Sequence, residues 1–254
     1  MSARAFNRWQ AAGTHLLICA AIAFAVVTVM LAIWYPRPLF EAAGGNDLLF
    51  VVVGVDVVIG PLCTLVVFKA AKRGLKFDLA VIATLQLVAL IYGVYIVFLA
   101  RPGFIVFVKD RFELATAVEL EPEELAAAKY PRFRSVPLAG PLLVAADMPT
   151  DPAERLKVVM AAIAGLDLQH FPRYYVPYAE RRNEVLAKAA PVARLRRVEP
   201  NIAKVVDEYL ASSKTEESAV QVLLLRTRFA WIAVLIDPVT AEPVKMLLAE
   251  RINK

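Results

Sequence analysis

The sequence predicts an α-helical membrane anchor of three transmembrane helices joined to an extracytoplasmic α+β domain with an antiparallel sheet. Three observations predict it. Hydrophobic residues make up 59% of the 254-residue chain and the mean hydropathy is +0.57, too apolar for a soluble domain of this size. The excess is confined to residues 14–99, where it falls into three runs of about the length that crosses a hydrocarbon core of roughly 30 Å. Residues 101–254 instead have mixed charge, with strand-like apolar runs at both ends and helical patterns between them. The expected division is a membrane domain, residues 1–100, and a periplasmic domain, residues 101–254.

The first run covers about residues 14–35. Arg4 and Arg8 precede it, and Trp34, Tyr35 and Pro36 close it. A basic flank before an apolar run also marks signal peptides, but an aromatic pair followed by proline fits an interfacial anchor, so an uncleaved helix is expected. A loop with Arg37, Glu41 and Asp47 leads to the second run, about 48–68. The basic loop Lys69, Lys72, Arg73 and Lys76 leads to the third, about 77–99. By the positive-inside rule the N-terminus and the Lys69–Lys76 loop are cytoplasmic, and three crossings export residues 101–254. The protein is therefore expected in a bacterial inner membrane with its C-terminal domain in the periplasm.

In the outer domain, Phe104–Val108 and Arg111–Ala115 read as a hairpin whose turn lacks the favoured glycine. Glu121–Tyr130 reads as a short helix with Pro122 at its start. Thr150 or Asp151 caps a helix to Gly165, and Leu156, Val159, Met160, Ile163 and Ala164 share one face of it. The stretch from Asp167 to Tyr178 reads as a loop. Its aromatics Phe171, Tyr174, Tyr175 and Tyr178 either pack over the core or offer a platform. Helices follow at Ala179–Ala190 and Asn201–Ser212, with Arg194, Arg196 and Arg197 between them. Val220–Leu225 and Phe229–Ile236 read as strands, the second apolar enough to be central. Asp237–Pro243 turns the chain into a last strand, Val244–Leu248.

Within the second run stand Asp56 and Pro61. A carboxylate near a bilayer midplane costs about 2.5–3.5 kcal/mol on insertion scales, so it normally faces protein. At the helical rise Asp56 lies about 12 Å below the outer boundary. On the third helix, Gln86 lies at about 16 Å and Tyr92 at about 8 Å. Thr28 of the first helix is near the same level. Gly60 and Thr64 follow Asp56 at steps of four and share its face, where small residues admit close packing. Pro61 frees the carbonyl of Val57 and favours a kink. The cluster Asp56, Gln86, Tyr92, Thr28, Gly60 and Pro61 admits three readings: a hydrogen-bonded knot tying three helices, a docking site for a polar group on another membrane helix, or a proton path.

These segments carry a resemblance. Trp34–Phe40 (WYPRPLF), Gly54–Phe68 (GVDVVIGPLCTLVVF) and Leu75–Tyr95 (LKFDLAVIATLQLVALIYGVY) are similar to the membrane half of the TfpX/TfpZ type IV pilin accessory proteins. Trp231–Val244 resembles that family's closing hairpin, although Ala241–Glu242–Pro243 stands where a glycine-containing turn is expected. The resemblance implies a non-enzymatic, chaperone-like inner-membrane protein that modulates pilin stability or pilus assembly. It also implies a partner, the type IV major pilin, whose apolar N-terminal helix carries an intramembrane glutamate. Membrane lipids are the other expected contact.

Other function classes find less in the sequence. His15 and His170 are the only histidines, and Cys19 and Cys63 the only cysteines. His15 sits at the cytoplasmic end of the first helix, where an interfacial role is expected. No P-loop, G-x-G-x-x-G or G-x-S-x-G stretch occurs, so no catalytic residue, metal or cofactor is expected. The outer domain holds 22 Lys+Arg against 20 Asp+Glu, counted from the sequence, which gives no cause to expect nucleic acid. The alternatives are a membrane-anchored periplasmic sensor or ligand-binding module, and a transporter or membrane-enzyme subunit.

Overall fold

A computed structural model describes residues 7–46, 49, 54–69 and 72–251, without the side chains of residues 55, 56, 250 and 251. The chain forms two compact units. One comprises Met1–Ala32 with Gly45–Leu99, the other Ile33–Gly44 with Ala100–Lys254.

The first unit is helical. Helix α1 (Arg8–Val29) opens with a capping box in which the Asn7 side chain accepts from Gln10 N at 2.9 Å and the Gln10 side chain accepts from Asn7 N at 3.1 Å. It runs on through a π turn at Met30–Trp34. After the four-residue helix α2 (Leu39–Ala42), which belongs to the second unit, come a π turn at Val55–Ile59 and helix α3 (Gly60–Val67). Pro61 has no N–H to give to the Val57 carbonyl, and the backbone widens just before it. Helix α4 (Leu75–Leu99) follows, with Lys72 bridging to Asp78 in its first turn at 2.6 Å.

Two of these helices, Arg8–Trp34 and Leu75–Leu99, are long and apolar enough to cross a membrane. Away from the faces that meet one another, most of their apolar side chains are exposed, for example Leu17, Phe24, Leu85, Val88 and Ile91, the pattern of helices whose solvent is lipid. The expected second span, 48–68, is described only in part. Val57–Val67 is a shorter apolar helix, and residues 47–48 and 50–53 lie outside the described residues.

The second unit is α+β, built on a sheet of order β4-β3-β1-β2-β6-β7-β8, with β5 also paired to β6. Its strands are β1 (Pro102–Val108), β2 (Arg111–Thr116), β3 (Leu142–Ala146), β4 (Tyr175–Pro177), β5 (Ala190–Pro191), β6 (Gln221–Arg226), β7 (Ala230–Ile236) and β8 (Pro243–Arg251). The expectation of an antiparallel sheet is corrected here. β1 pairs in parallel with β3, and β2 in parallel with β6, so the sheet is mixed. The β2–β6 pairing is short, Phe112 opposite Leu225 and Glu113 opposite Arg226. A side-chain bridge from Arg226 Nε to the buried Glu113 carboxylate at 3.0 Å reinforces it. Burial pushes that carboxyl above its ordinary range, against the pull of Arg226.

Helices cover both faces. α5 (Pro122–Ala126) and α6 (Pro152–Ile163) precede β4; α7 (Arg182–Lys188) precedes β5; α8 (Val192–Val198) and α9 (Pro200–Ser213) precede β6. Arg194, Arg196 and Arg197 thus lie within α8 rather than in a linker, and Arg196 is tied to Asp207 and Glu217 at 2.7 and 2.8 Å. On β7, Ile232, Val234 and Ile236 point to one core, while Ala233 and Leu235 meet α8 and α9 on the other face. The aromatic loop packs inward: Tyr175 and Tyr178 are buried. The Tyr178 hydroxyl donates to the Ala241 carbonyl, pinning the β7–β8 turn. Ala241 holds φ 61°, the left-handed conformation that a glycine would relieve.

One face of this sheet is finished by a distant segment. Residues 33–44 lay Leu39 and Ala42 into the core formed by Ile105, Phe107, Leu225 and Ile232. Thr227 Oγ1 donates to Ala42 O at 2.7 Å, and Gly140 N donates to Ile33 O at 2.7 Å. Tyr35 is wholly buried, edge-on to Phe40 at 5.9 Å. Arg101, buried too, donates to Pro137 O at 3.2 Å. Gly44 (φ 77°) admits Phe229, whose ring would stand 2.9 Å from a Cβ there.

Candidate functional site

The polar groups of the helical unit form a seam along α3. Gly60 and Thr64 are one turn apart on its buried face. A Cβ on Gly60 would fall 2.0 Å from Gln86 Nε2, so the glycine is what lets an amide of α4 lie across α3. Gln86 Nε2 also reaches Cys19 Sγ of α1 at 3.6 Å. One turn along, Thr64 Oγ1 meets His15 Nδ1, again from α1, at 2.6 Å. Two polar rungs therefore tie three helices, with His15 and Cys19 four apart on one helix and Gly60 and Thr64 four apart on another.

The expected cluster is gathered in part. Gln86, Gly60 and Pro61 lie at the seam. The backbone of Asp56 lies in the π turn one helical turn before Gly60, and its side chain lies outside the described residues. Thr28 donates to Phe24 O of its own helix at 2.8 Å. Tyr92 is 66% exposed. Six residues beyond Gln86, it is rotated about 240° around the helix. Sequence reasoning missed His15 and Cys19 as seam residues, although their spacing of four mirrors that of Gly60 and Thr64.

Beside the seam an apolar cavity of about 260 Å³ opens between α1 and α4, lined by Ile22, Ala23, Leu87 and Leu90 with His15 and Gln86 at its polar edge. Among the described residues no group of three His, Cys, Asp or Glu stands close enough to hold a metal.

The sequence has relatives that bear on this arrangement. A family model described as "Fimbrial assembly protein FimB" matches residues 3–44, α1 together with the segment that finishes the second unit's core. "Fimbrial assembly protein, serogroup I" of Dichelobacter nodosus is 33% identical over 185 residues, 72% of this chain and 71% of that one. The chain belongs to the fimbrial assembly protein family. The serogroup E1 protein of the same organism matches to the same extent. The protein of serogroups C1 and C2 is 34% identical over 119 residues, 46% of this chain and 90% of its own length. No solved structure matches. The fimbrial assembly family is thus represented here by a helical unit with an internal polar seam and a mixed-sheet α+β unit.

Proposed function

We propose that this protein is a non-enzymatic, chaperone-like accessory of type IV pilus assembly in the inner membrane, of the TfpX/TfpZ kind. It holds the apolar N-terminal helix of a pilin subunit before that helix enters the fibre. The observation that carries the reading is the apolar cavity between α1 and α4 with Gln86 and His15 at its edge. A guest helix with one intramembrane carboxyl finds apolar walls and, at the rim, a hydrogen-bonding partner, which lowers the cost of its buried polar group. Asp56, one turn from Gly60, is the further partner: protonated, it shares its proton with the guest carboxyl. The names of the relatives, all fimbrial assembly proteins, support the same role.

Chain connectivity supports the expected topology. α1 and α4 both run, at their C-terminal ends, into the second unit, α1 at Ile33 and α4 at Ala100. If both cross the bilayer, both leave it on the side where that unit folds, and the chain between them must cross back through residues 45–74. With the basic loop cytoplasmic, the α+β unit is periplasmic.

The test is photo-crosslinking in cells that make the pilin. A photoreactive residue at Ile22 or Leu90 gives an adduct of the combined mass of the two proteins, and the adduct weakens with Gln86→Leu. Labelling confined to the protein itself removes the reading.

A further inference from the structure

In the second unit, α6 (Pro152–Ile163) shows its apolar face to the outside. Val158 is buried against the sheet, with Ala161 and Ala162 half-covered beside it. The opposite face carries Leu156, Val159, Met160 and Ile163, and Leu166 continues it past the helix end; Leu156, Met160 and Ile163 are 60%, 58% and 77% exposed. At about 100° per residue, Arg155 and Lys157 flank this face on its two sides; Arg155 Nε donates to Pro149 O at 3.1 Å, which leaves its terminal N–H groups to face outward. The one acid of the helix, Glu154, sits in its first turn, where its backbone N–H donates to the Asp151 cap.

We propose that this face of α6 lies in the surface of the outer leaflet of the same membrane. A stripe of four or five aliphatic side chains edged by cations fits the boundary between acyl chains and anionic headgroups: the stripe enters, and Arg155 and Lys157 snorkel to phosphate. The unit that bears it passes directly into two long apolar helices, at Ile33 and at Ala100. Two covalent tethers hold α6 at a high effective concentration next to a bilayer, so a weak surface interaction suffices. Leu138, 69% exposed, is a further uncovered apolar side chain of the same unit. The proposal rests on α1 and α4 being membrane helices, which carbonate-resistant incorporation into vesicles tests separately.

The full chain carrying Ile163→Cys, labelled with an environment-sensitive fluorophore, is reconstituted at less than one copy per vesicle of phosphatidylethanolamine and phosphatidylglycerol. The parent chain is the labelling blank and Val239→Cys, in the exposed β7–β8 turn, is the aqueous reference. Quenching by doxyl-labelled lipid and shielding from iodide by about threefold or more relative to position 239 are expected of a helix at the acyl boundary. Met160→Cys should repeat the result, and Arg155→Glu with Lys157→Glu should release it. Iodide access equal to that at position 239 overturns the proposal. So does shielding that appears only above one copy per vesicle, which marks a second copy as the occupant. Shielding that appears only with co-reconstituted pilin overturns it as well, in favour of a protein partner.

Discussion

Leu39 offers the sharpest test of how the second unit is built. It lies 61 residues before Ala100, yet it is 1% exposed and sits among Ile105, Phe107, Leu225 and Ile232. Leu39→Ala removes three carbons from a closed core and leaves a cavity, a change that costs about 2–5 kcal/mol. Domains of this kind are stable by roughly 5–15 kcal/mol, so the substitution consumes a large part of the whole. A loss of about 3 kcal/mol raises the open population on the order of a hundredfold. The assay is amide hydrogen exchange of the full-length protein in detergent micelles, followed at β7, whose amides open only with the unit as a whole. Val239→Ala, in the exposed turn, should change nothing beyond about 0.5 kcal/mol. If β7 exchanges in Leu39→Ala within twofold of the parent, residues 33–44 are not part of that core and the architecture described above is wrong.

Three further outcomes follow from other parts of the molecule. Gly60→Ala should destabilise the helical unit by about 1–3 kcal/mol through overpacking against Gln86; adding Gln86→Ala should return most of it, a non-additivity read from thermal unfolding of the two single variants and the double variant in micelles. Burial holds the Glu113 carboxyl above its ordinary range, so the folded state binds that proton more tightly and its contribution to stability falls as pH rises from the ordinary carboxylate range through the folded value. Glu113→Gln should remove that slope from the stability–pH profile, and an unchanged slope assigns it to another group. Lys109, exposed in the β1–β2 turn at φ 57°, should gain about 0.5–1 kcal/mol on replacement by glycine, measured as a shift of the denaturation midpoint.

What the sequence makes legible is what neighbours decide. The apolar runs of α1 and α4, the Asp151 cap that accepts from Glu154 N at 2.9 Å and the burial of β7 all follow from spacing along a few residues. The common face of Gly60 and Thr64 was legible for the same reason. The parallel pairs were not, because β1–β3 and β2–β6 join segments with no turn between them to announce the register. Periodicity shows that Leu156, Val159, Met160 and Ile163 share a face of α6, but the same stripe suits a helix that faces inward or outward. Residues 33–44 lie apart from the second unit in the sequence and are broken by Pro36 and Pro38, so no local period marks them as its core; their burial depends on strands far along the chain. His15 illustrates the reverse case. Placed by position alone it reads as interfacial, and only its spacing of four from Cys19, set against Gly60 and Thr64, points to the bond with Thr64 Oγ1.

The bond between Thr227 and Ala42 joins groups 185 residues apart, and it constrains the order in which the protein can be made. Ribosomes deliver Leu39 early and Ile232 late, so the apolar residues of that short segment wait uncovered through the synthesis of everything between. A nascent chain whose two halves reach opposite sides of the bilayer can never bring them together. Closure of this core is in that sense a record that both ends of the chain reached the same compartment, written into the packing itself.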